Sequence, residues 1–315
     1  MDDLYNEKNQ SYLSEKSMSR QPTLKQLRYL LAVADAGHFG QAAKACFVSQ
    51  STLSAGISEL EDLLGVVLLE RTSRTVLLTD IGQEVVRRAR ATLLDIEDML
   101  AVCDASQAPF TGRLRMGVIP TIAPFILPPL MKRLREQHPE FKLLVKEDLS
   151  GHLVESLNKG DLDVLLLALP FAAENVDTEV LYSDKFWFAC ADSHPLHARQ
   201  SMLPDDLRGQ DLLLLEDGHC LRDHVLEACN LELKDVSLPF QATSLNTIVQ
   251  MVAGGIGVTL LPDMAVHGSL LAGVDISLKP FAAEAISRDI GLMWRKKSPR
   301  AIDYRALGEI LVATR

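Results

Sequence analysis

Two cysteines nine residues apart, Cys220 and Cys229, frame the densest cluster of reactive side chains in the chain. Cys220 lies in the run Glu216-Asp217-Gly218-His219-Cys220-Leu221-Arg222-Asp223, which follows four leucines, Leu212 to Leu215. Sulfur attacks an oxidant as thiolate, not as thiol. Cys220 stands at the end of an apolar strand and opens a helix expected over 221–229, whose dipole favours negative charge at its start. His219 and Arg222 add donors or positive charge. Asp223 can donate to or accept from the oxygens of such an oxidant and help a leaving hydroxide collect a proton. The bland reading is a buried thiol beside a structural histidine, and a bare His-Cys pair is more often that. A metal site on His219, Cys220, His224 and Cys229 matches no common zinc spacing, so no metal and no cofactor are expected. Cys46, in a helix turn, Cys103, in a long helix, and Cys190, in a strand, read as structural thiols.

The frame that must position these groups is a chain of 315 residues, 47% apolar and 23% charged. That length suits more than one domain, and the composition is that of a soluble globular protein. The net charge of -10 excludes a chain that coats nucleic acid or membrane by bulk charge. The longest apolar run, 164–173, contains Pro170 and is half the length of a bilayer span, so no membrane association is expected. The start of the chain is polar and lacks a secretory pattern. A cytoplasmic location with five reduced thiols follows.

Residues 1–22 read as a disordered tail. Over 23–79 the pattern is that of a winged helix-turn-helix. Leu24, Leu27, Leu30 and Leu31 mark a first helix that Gly37 ends. A second helix covers 39–45, a turn covers 46–49, and a third helix runs over 50–64 with Ser49 as N-cap and Gly65 as its stop. Two short strands near 68–70 and 76–78 form the wing. The polar face of the third helix, with Gln50, Ser51, Thr52, Ser54 and Ser58, suits base edges and phosphates, and Arg71 and Arg74 on the wing suit phosphates or the minor groove. Residues 19–90 carry a net charge of +2 and residues 111–315 one of -6, so the basic groups are local.

Residues 80–108 read as one long helix whose seam of Leu93, Ile96, Leu100 and Cys103 suits pairing with a twin. A hinge is expected at 109–112. Over 113–315 candidate strands at 113–119, 142–147, 163–169, 185–191, 212–216, 257–261 and 290–294 alternate with helices. That alternation predicts an α/β unit of two lobes with parallel sheets and a cleft between them.

Ala42-Ala43, Val48-Ser49-Gln50-Ser51-Thr52-Leu53-Ser54, Leu60-Glu61, Leu64-Gly65, Leu68-Leu69-Glu70-Arg71 and Leu78-Thr79-Asp80-Ile81-Gly82 resemble the N-terminal signature of LysR-type transcriptional regulators. The resemblance extends over nearly the whole chain after residue 22. It implies a winged helix-turn-helix joined to a regulatory domain like the periplasmic binding proteins, a homodimer or homotetramer on a double-stranded operator with dyad half-sites, contact with RNA polymerase, and no enzymatic activity. Ser58-Glu59 departs from it, standing where many relatives carry basic residues.

The stretch around Cys220 resembles the hydrogen-peroxide-sensing members of that family. Carried over residue by residue, Cys220 takes the place of the peroxide-reacting thiol and Cys229 that of the resolving thiol. Thr121, Ser150, His219, Arg222 and Asp223 surround the peroxide, Ser150 replacing a threonine. Reduction by a glutaredoxin-type system is implied. On one continuous helix nine residues rise about 13 Å and turn through half a revolution, whereas a disulfide needs Cα atoms within about 7 Å. Bond and intact helix therefore exclude each other, and oxidation must unwind or re-route the segment; with Cys229 beyond the helix in a loop the conflict softens, and a smaller rearrangement is expected. The alternative is a regulator of the same family that binds a small metabolite between the lobes and carries incidental cysteines.

Overall fold

In a computed structural model the described residues are 21–71, 76–105, 110, 112–232, 240–282 and 286–314. They fall into two compact units, divided at Leu100/Ala101. The expected tail, apart from its last two residues, lies outside the described residues, as do Arg74 and the side chains of Arg71, Leu100 and Cys103.

The first unit starts with α1 (Leu24–Ala36), α2 (Phe39–Ala45) and α3 (Gln50–Leu64). Each boundary has a local cause. Thr23 and Gln26 form a reciprocal cap at the start of α1, and Gly37 ends it at φ 60°. Ser49 accepts a hydrogen bond from the Thr52 amide, and Gly65 ends α3 at φ 70°. Leu53, Ile57 and Leu60 of α3 pack with Leu30 and Val33 of α1. Strands β1 (Leu69–Arg71) and β2 (Val76–Leu78) pair antiparallel. Glu61 of α3 accepts from the Leu68 and Leu69 amides at 2.8 and 3.1 Å, which ties this wing to α3. Helix α4 (Asp80–Ala105) follows, with Asp80 in its first turn.

The second unit is α/β with two apolar cores. Strands β3 (Arg113–Val118), β4 (Lys142–Glu147) and β5 (Val164–Leu169) pair parallel in the order β4-β3-β5, with helices α5 (Ala123–Gln137) and α6 (Ser150–Lys159) between them in sequence. Strand β6 (Val176–Cys190) is 15 residues long and leaves the first lobe for the second. There follow β7 (Leu214–Leu215), α7 (Cys220–Ala228), β8 (Gln241–Ala242), α8 (Leu245–Ala253), β9 (Thr259–Pro262), α9 (Asp263–Val266), β10 (Ser277–Pro280), β11 (Ser287–Arg295) and α10 (Ala301–Val312). Lobe I is built around Leu114, Met116, Leu153, Leu166 and Leu292, and lobe II around Phe188, Leu213, Val249 and Leu260.

The expected parallel sheets are in fact a parallel β4-β3-β5 set inside a mixed seven-stranded sheet and a separate two-stranded parallel sheet, β7–β8. Strand β11 runs antiparallel between β5 and β6, and β9 and β10 pair antiparallel with the far half of β6. The strand expected at 185–191 starts nine residues earlier, at Val176. Its first half is partly exposed and carries a polar block, Asp177-Thr178-Glu179, so the apolar run marks only the part inside lobe II. Strands β8 and β10 are short and carry no apolar run, and the sequence reading missed them.

Candidate functional site

The recess beside Cys220 forms where three helices begin. Thr121 follows the end of β3 and precedes α5, Ser150 is the first residue of α6, and Cys220 is the first residue of α7. Strands β3 and β4 point their carboxyl ends here, the ordinary place for a ligand in an α/β sheet. Helix starts offer unpaired amides and positive potential to any oxygen or sulfur that gains negative charge. Gly218, at φ 93°, turns the chain from β7 into α7, and a Cβ there would approach Leu149 at 3.1 Å. Thr121, Ser150, Gly218, His219 and Cys220 line the recess, with Ile119, Pro120 and Leu149 as its apolar wall.

Thr121, Ser150, His219 and Cys220 are all buried, Ser150 to 1% exposure. The Ser150 hydroxyl has no hydrogen-bond partner among the described residues. A buried, unpartnered hydroxyl loses hydration without compensation, which marks a place built for a polar guest. His219 takes its proton less readily than a free histidine because burial disfavours the charged ring, with Glu216 opposing. The ring therefore enters the recess as a neutral donor or acceptor.

Arg288, which the sequence reading missed, holds Thr121 in place. Its Nη1 donates to Thr121 Oγ1 at 2.9 Å and its Nη2 to the Thr121 carbonyl at 3.2 Å. Its Nε donates at 3.1 Å to Asp184, its cross-strand partner on β6, and both side chains are fully buried. Burial raises the Asp184 carboxyl above its ordinary range, and the Arg288 charge opposes the rise. With Arg288 on its oxygen, the Thr121 hydroxyl keeps its hydrogen to donate. A signal existed in the sequence: Arg288 stands two residues before Ile290 and four before Leu292, on the buried face of a strand with period two.

The remaining predicted residues are placed otherwise. Arg222 pairs with Asp217 at 3.0 Å while its buried Nε has no partner among the described residues, and Asp223 is exposed; neither lines the recess. For Arg222 helix phase contributes: two residues beyond Cys220 a side chain points across the helix. Cys229 is the C-cap of α7, and it is a free thiol, as are Cys46, Cys190 and Cys220. Cys220 packs with the core of lobe I and Cys229 with that of lobe II. Burial pushes the Cys229 thiol up to about 12. Among the described residues no three His, Cys, Asp or Glu side chains are grouped to hold a metal, and no helix is long and apolar enough to cross a membrane.

In the first unit Gln50, Ser51 and Thr52 are exposed at the start of α3, while Ser54 and Ser58 are half-buried. The Ser49 hydroxyl lies 2.8 Å from that of Ser51 and 2.7 Å from that of Thr52, so the cap also organises the exposed hydroxyls.

Residues 24–83 match the bacterial regulatory helix-turn-helix proteins of the lysR family, and residues 107–314 match the LysR substrate binding domain. The chain belongs to the LysR family of transcriptional regulators. It is similar to the HTH-type transcriptional regulator EstR of Acinetobacter baylyi, 40% identical over 93% of this chain and 97% of that one. A probable hydrogen peroxide-inducible genes activator of Streptomyces viridosporus is 41% identical over 93% and 94%. Among solved structures, a full-length OxyR variant of Pseudomonas aeruginosa superimposes with a TM-score of 0.75 at 35% identity, covering 92% of this chain and 95% of that one. A hydrogen-peroxide-bound OxyR mutant of Corynebacterium glutamicum gives 0.64 at 34% identity, covering 93% and 92%. As a LysR regulator the chain binds DNA through its helix-turn-helix and acts as an oligomer, and its relatives are regulators rather than enzymes.

Proposed function

We propose that this regulator senses hydrogen peroxide through Cys220 and Cys229 and controls oxidative-stress genes. The observation that carries the reading is the unpartnered Ser150 hydroxyl buried in the recess that Cys220 lines. Thr121, Ser150 and His219 would hold the peroxide. The Cys220 thiolate attacks one oxygen, the O–O bond breaks, and sulfenic acid and hydroxide form. The Cys229 thiol then condenses with the sulfenic acid, giving the disulfide and one water. Arg222 and Asp223, which do not line the recess in the dithiol form, are proposed to complete the peroxide site around the thiol and to help the leaving hydroxide collect a proton. The recess is small and built around a thiol, which suits a peroxide better than a metabolite held reversibly.

On the DNA side, Gln50, Ser51 and Thr52 are proposed to meet base edges, Ser54 and Ser58 to meet bases or phosphates, and Arg71 and Arg74 to meet phosphates. The proposed division is a tail at 1–22, the reading head at 23–79, a dimerisation helix at 80–108, a hinge at 109–112 and the sensor at 113–315. A homotetramer in the cytoplasm, contact with RNA polymerase and reduction by a glutaredoxin-type system complete the reading.

Mass analysis of the full chain after mild peroxide treatment tests it. A Cys220–Cys229 cross-link that appears with peroxide and disappears with dithiothreitol is expected. Footprinting of both forms on the protein's own promoter region should give two different patterns. A chain that remains dithiol, or binds its operator alike in both forms, rules the reading out.

A further inference from the structure

Helix α7 is two-faced. Leu221, Val225 and Cys229, each four residues apart, pack into lobe II, whereas Cys220 packs into lobe I. His224 follows Cys220 by four and so shares its face. The ring is buried to 8% exposure, and its Nε2 lies 3.3 Å from the carbonyl oxygen of Pro170, the residue after β5 of lobe I. A carbonyl oxygen only accepts, so Nε2 carries the proton and Nδ1 is a bare lone pair. Burial holds the ring neutral and the Arg288 charge adds to that, while the Pro170 hydrogen bond, Glu227 and Asp223 oppose it. Nδ1 has no partner among the described residues. The ring thus gains one hydrogen bond to lobe I and loses hydration at its other nitrogen, so it holds the helix without locking it.

We infer that His224 is a positioning residue, a latch that fixes the Cys220 face of α7 against lobe I through the Pro170 carbonyl and must release before Cys229 can reach Cys220. The inference rests on the disulfide reading above. An intact helix keeps the two sulfurs on opposite sides and about 13 Å apart along its axis. Any re-routing that joins them carries His224 out of register with Pro170. The latch bears on the second step, the condensation, and on the dithiol–disulfide balance. It does not bear on the first attack, because His224 is not among the residues lining the recess.

The test separates the two steps in the full-length protein. The first step is read as sulfenic acid trapping at Cys220 in a Cys229→Ser background. The second is read as the disulfide fraction in glutathione buffers of graded ratio. His224→Leu fills the space without a donor, and His224→Gln can present an amide N–H to the same carbonyl. His224→Leu is expected to leave the trapping rate within about twofold. It should shift the balance toward disulfide by about three- to tenfold, the range of one hydrogen bond. His224→Gln should return the balance to within about twofold of the parent. A role in packing alone predicts that Leu and Gln behave alike, and that result overturns the latch, as does a Leu variant with the parent's balance. Should the Leu variant fail to fold, His224→Asn, too short to reach Pro170, replaces it with the same expected shift. A parent chain that forms no Cys220–Cys229 bond sinks the peroxide reading itself, and the latch with it. An unmoved balance in a chain that does form the bond sinks only the latch.

Discussion

The two ends of helix α7 carry the same side chain in opposite settings. At the first residue, Cys220 meets hydroxyls, a neutral imidazole and the starts of two other helices. At the cap, Cys229 sits in apolar packing that drives its thiol up to about 12. On the proposed reading one end is arranged for chemistry and the other, with no polar neighbour to activate it, is held silent by burial. Silence in the resting state is what a switch requires, since a resolving thiol already exposed would pair with other partners. The difference lies in surroundings rather than residue type, and changes to those surroundings can break or sharpen it.

The largest effect should come from the ends themselves. Cys220→Ser is expected to abolish both peroxide consumption by the sensor and the change in its footprint. Cys229→Ser should still accumulate sulfenic acid, visible by trapping, but form no internal disulfide. Replacing Cys46 or Cys190 should leave the response intact. If Cys229→Ser reacts no faster with peroxide than Cys220→Ser, the two ends are equivalent and the assignment of roles is wrong.

Next comes the buried pair behind Thr121. Arg288→Leu leaves Asp184 in a fully buried site without its partner, and breaking such a pair costs about 3–5 kcal/mol. It also releases the Thr121 hydroxyl from its anchor. Unfolding in urea should therefore show a lower midpoint, and peroxide reactivity should fall together with it. The double variant Asp184→Leu/Arg288→Leu removes both charges and should recover much of the stability but not the reactivity. Recovery of both would mean that Arg288 acts on the fold alone.

These examples also show what a sequence can reveal. The reading head was legible almost to the residue because its signals are local: a Ser49 cap, glycines 37 and 65 at positive φ, and a leucine stripe on one helix. The start of α7 was legible for the same reason. Arg288 and Asp184 are 104 positions apart and meet only through strand register, and no local pattern announces such a meeting. The long strand β6 was half-read because it changes lobes midway, so its first half lacks the apolar run of its second. Arg222 and Asp223 entered with Cys220 through the resemblance, which carries residue types but not the helix phase of this chain. Phase puts His224, at i+4, on the Cys220 face and Arg222, at i+2, across the helix.

A smaller effect probes the silent end. Val225 is buried on the stripe that leads to Cys229. Val225→Ala removes two methyl groups from that packing and should weaken it by about 1–2 kcal/mol. The dithiol helix opens more often, so an alkylating reagent should reach Cys229 roughly tenfold faster while Cys220 changes little. Equal acceleration at both cysteines would show that the helix opens as one unit, and the contrast between its ends would be static only.

The weakest handle is pH, and it acts on both ends with opposite sign. Burial lowers the values of His219 and His224. Below about pH 6.5, where a free histidine takes up its proton, the opened form binds more protons than the closed one, and acid favours opening. Cys229 behaves in reverse. Its thiol stays protonated in the closed helix to about 12, whereas in the opened segment it ionises near its ordinary value of 9.0, so alkali favours opening as well. The dithiol form should thus be most stable between about pH 6.5 and 9, with each single proton contributing at most about 1.4 kcal/mol per pH unit outside that window. Thermal midpoints of the reduced full chain across pH 5 to 10 would trace both arms. Cys229→Ser should reduce the alkaline arm, leaving the share of Cys190 and Tyr304, which burial also raises, and His224→Gln should reduce the acid arm, each leaving the other untouched. An alkaline arm unchanged in the Cys229→Ser variant would place the titrating groups elsewhere, and the silence of that end would then owe nothing to its ionisation.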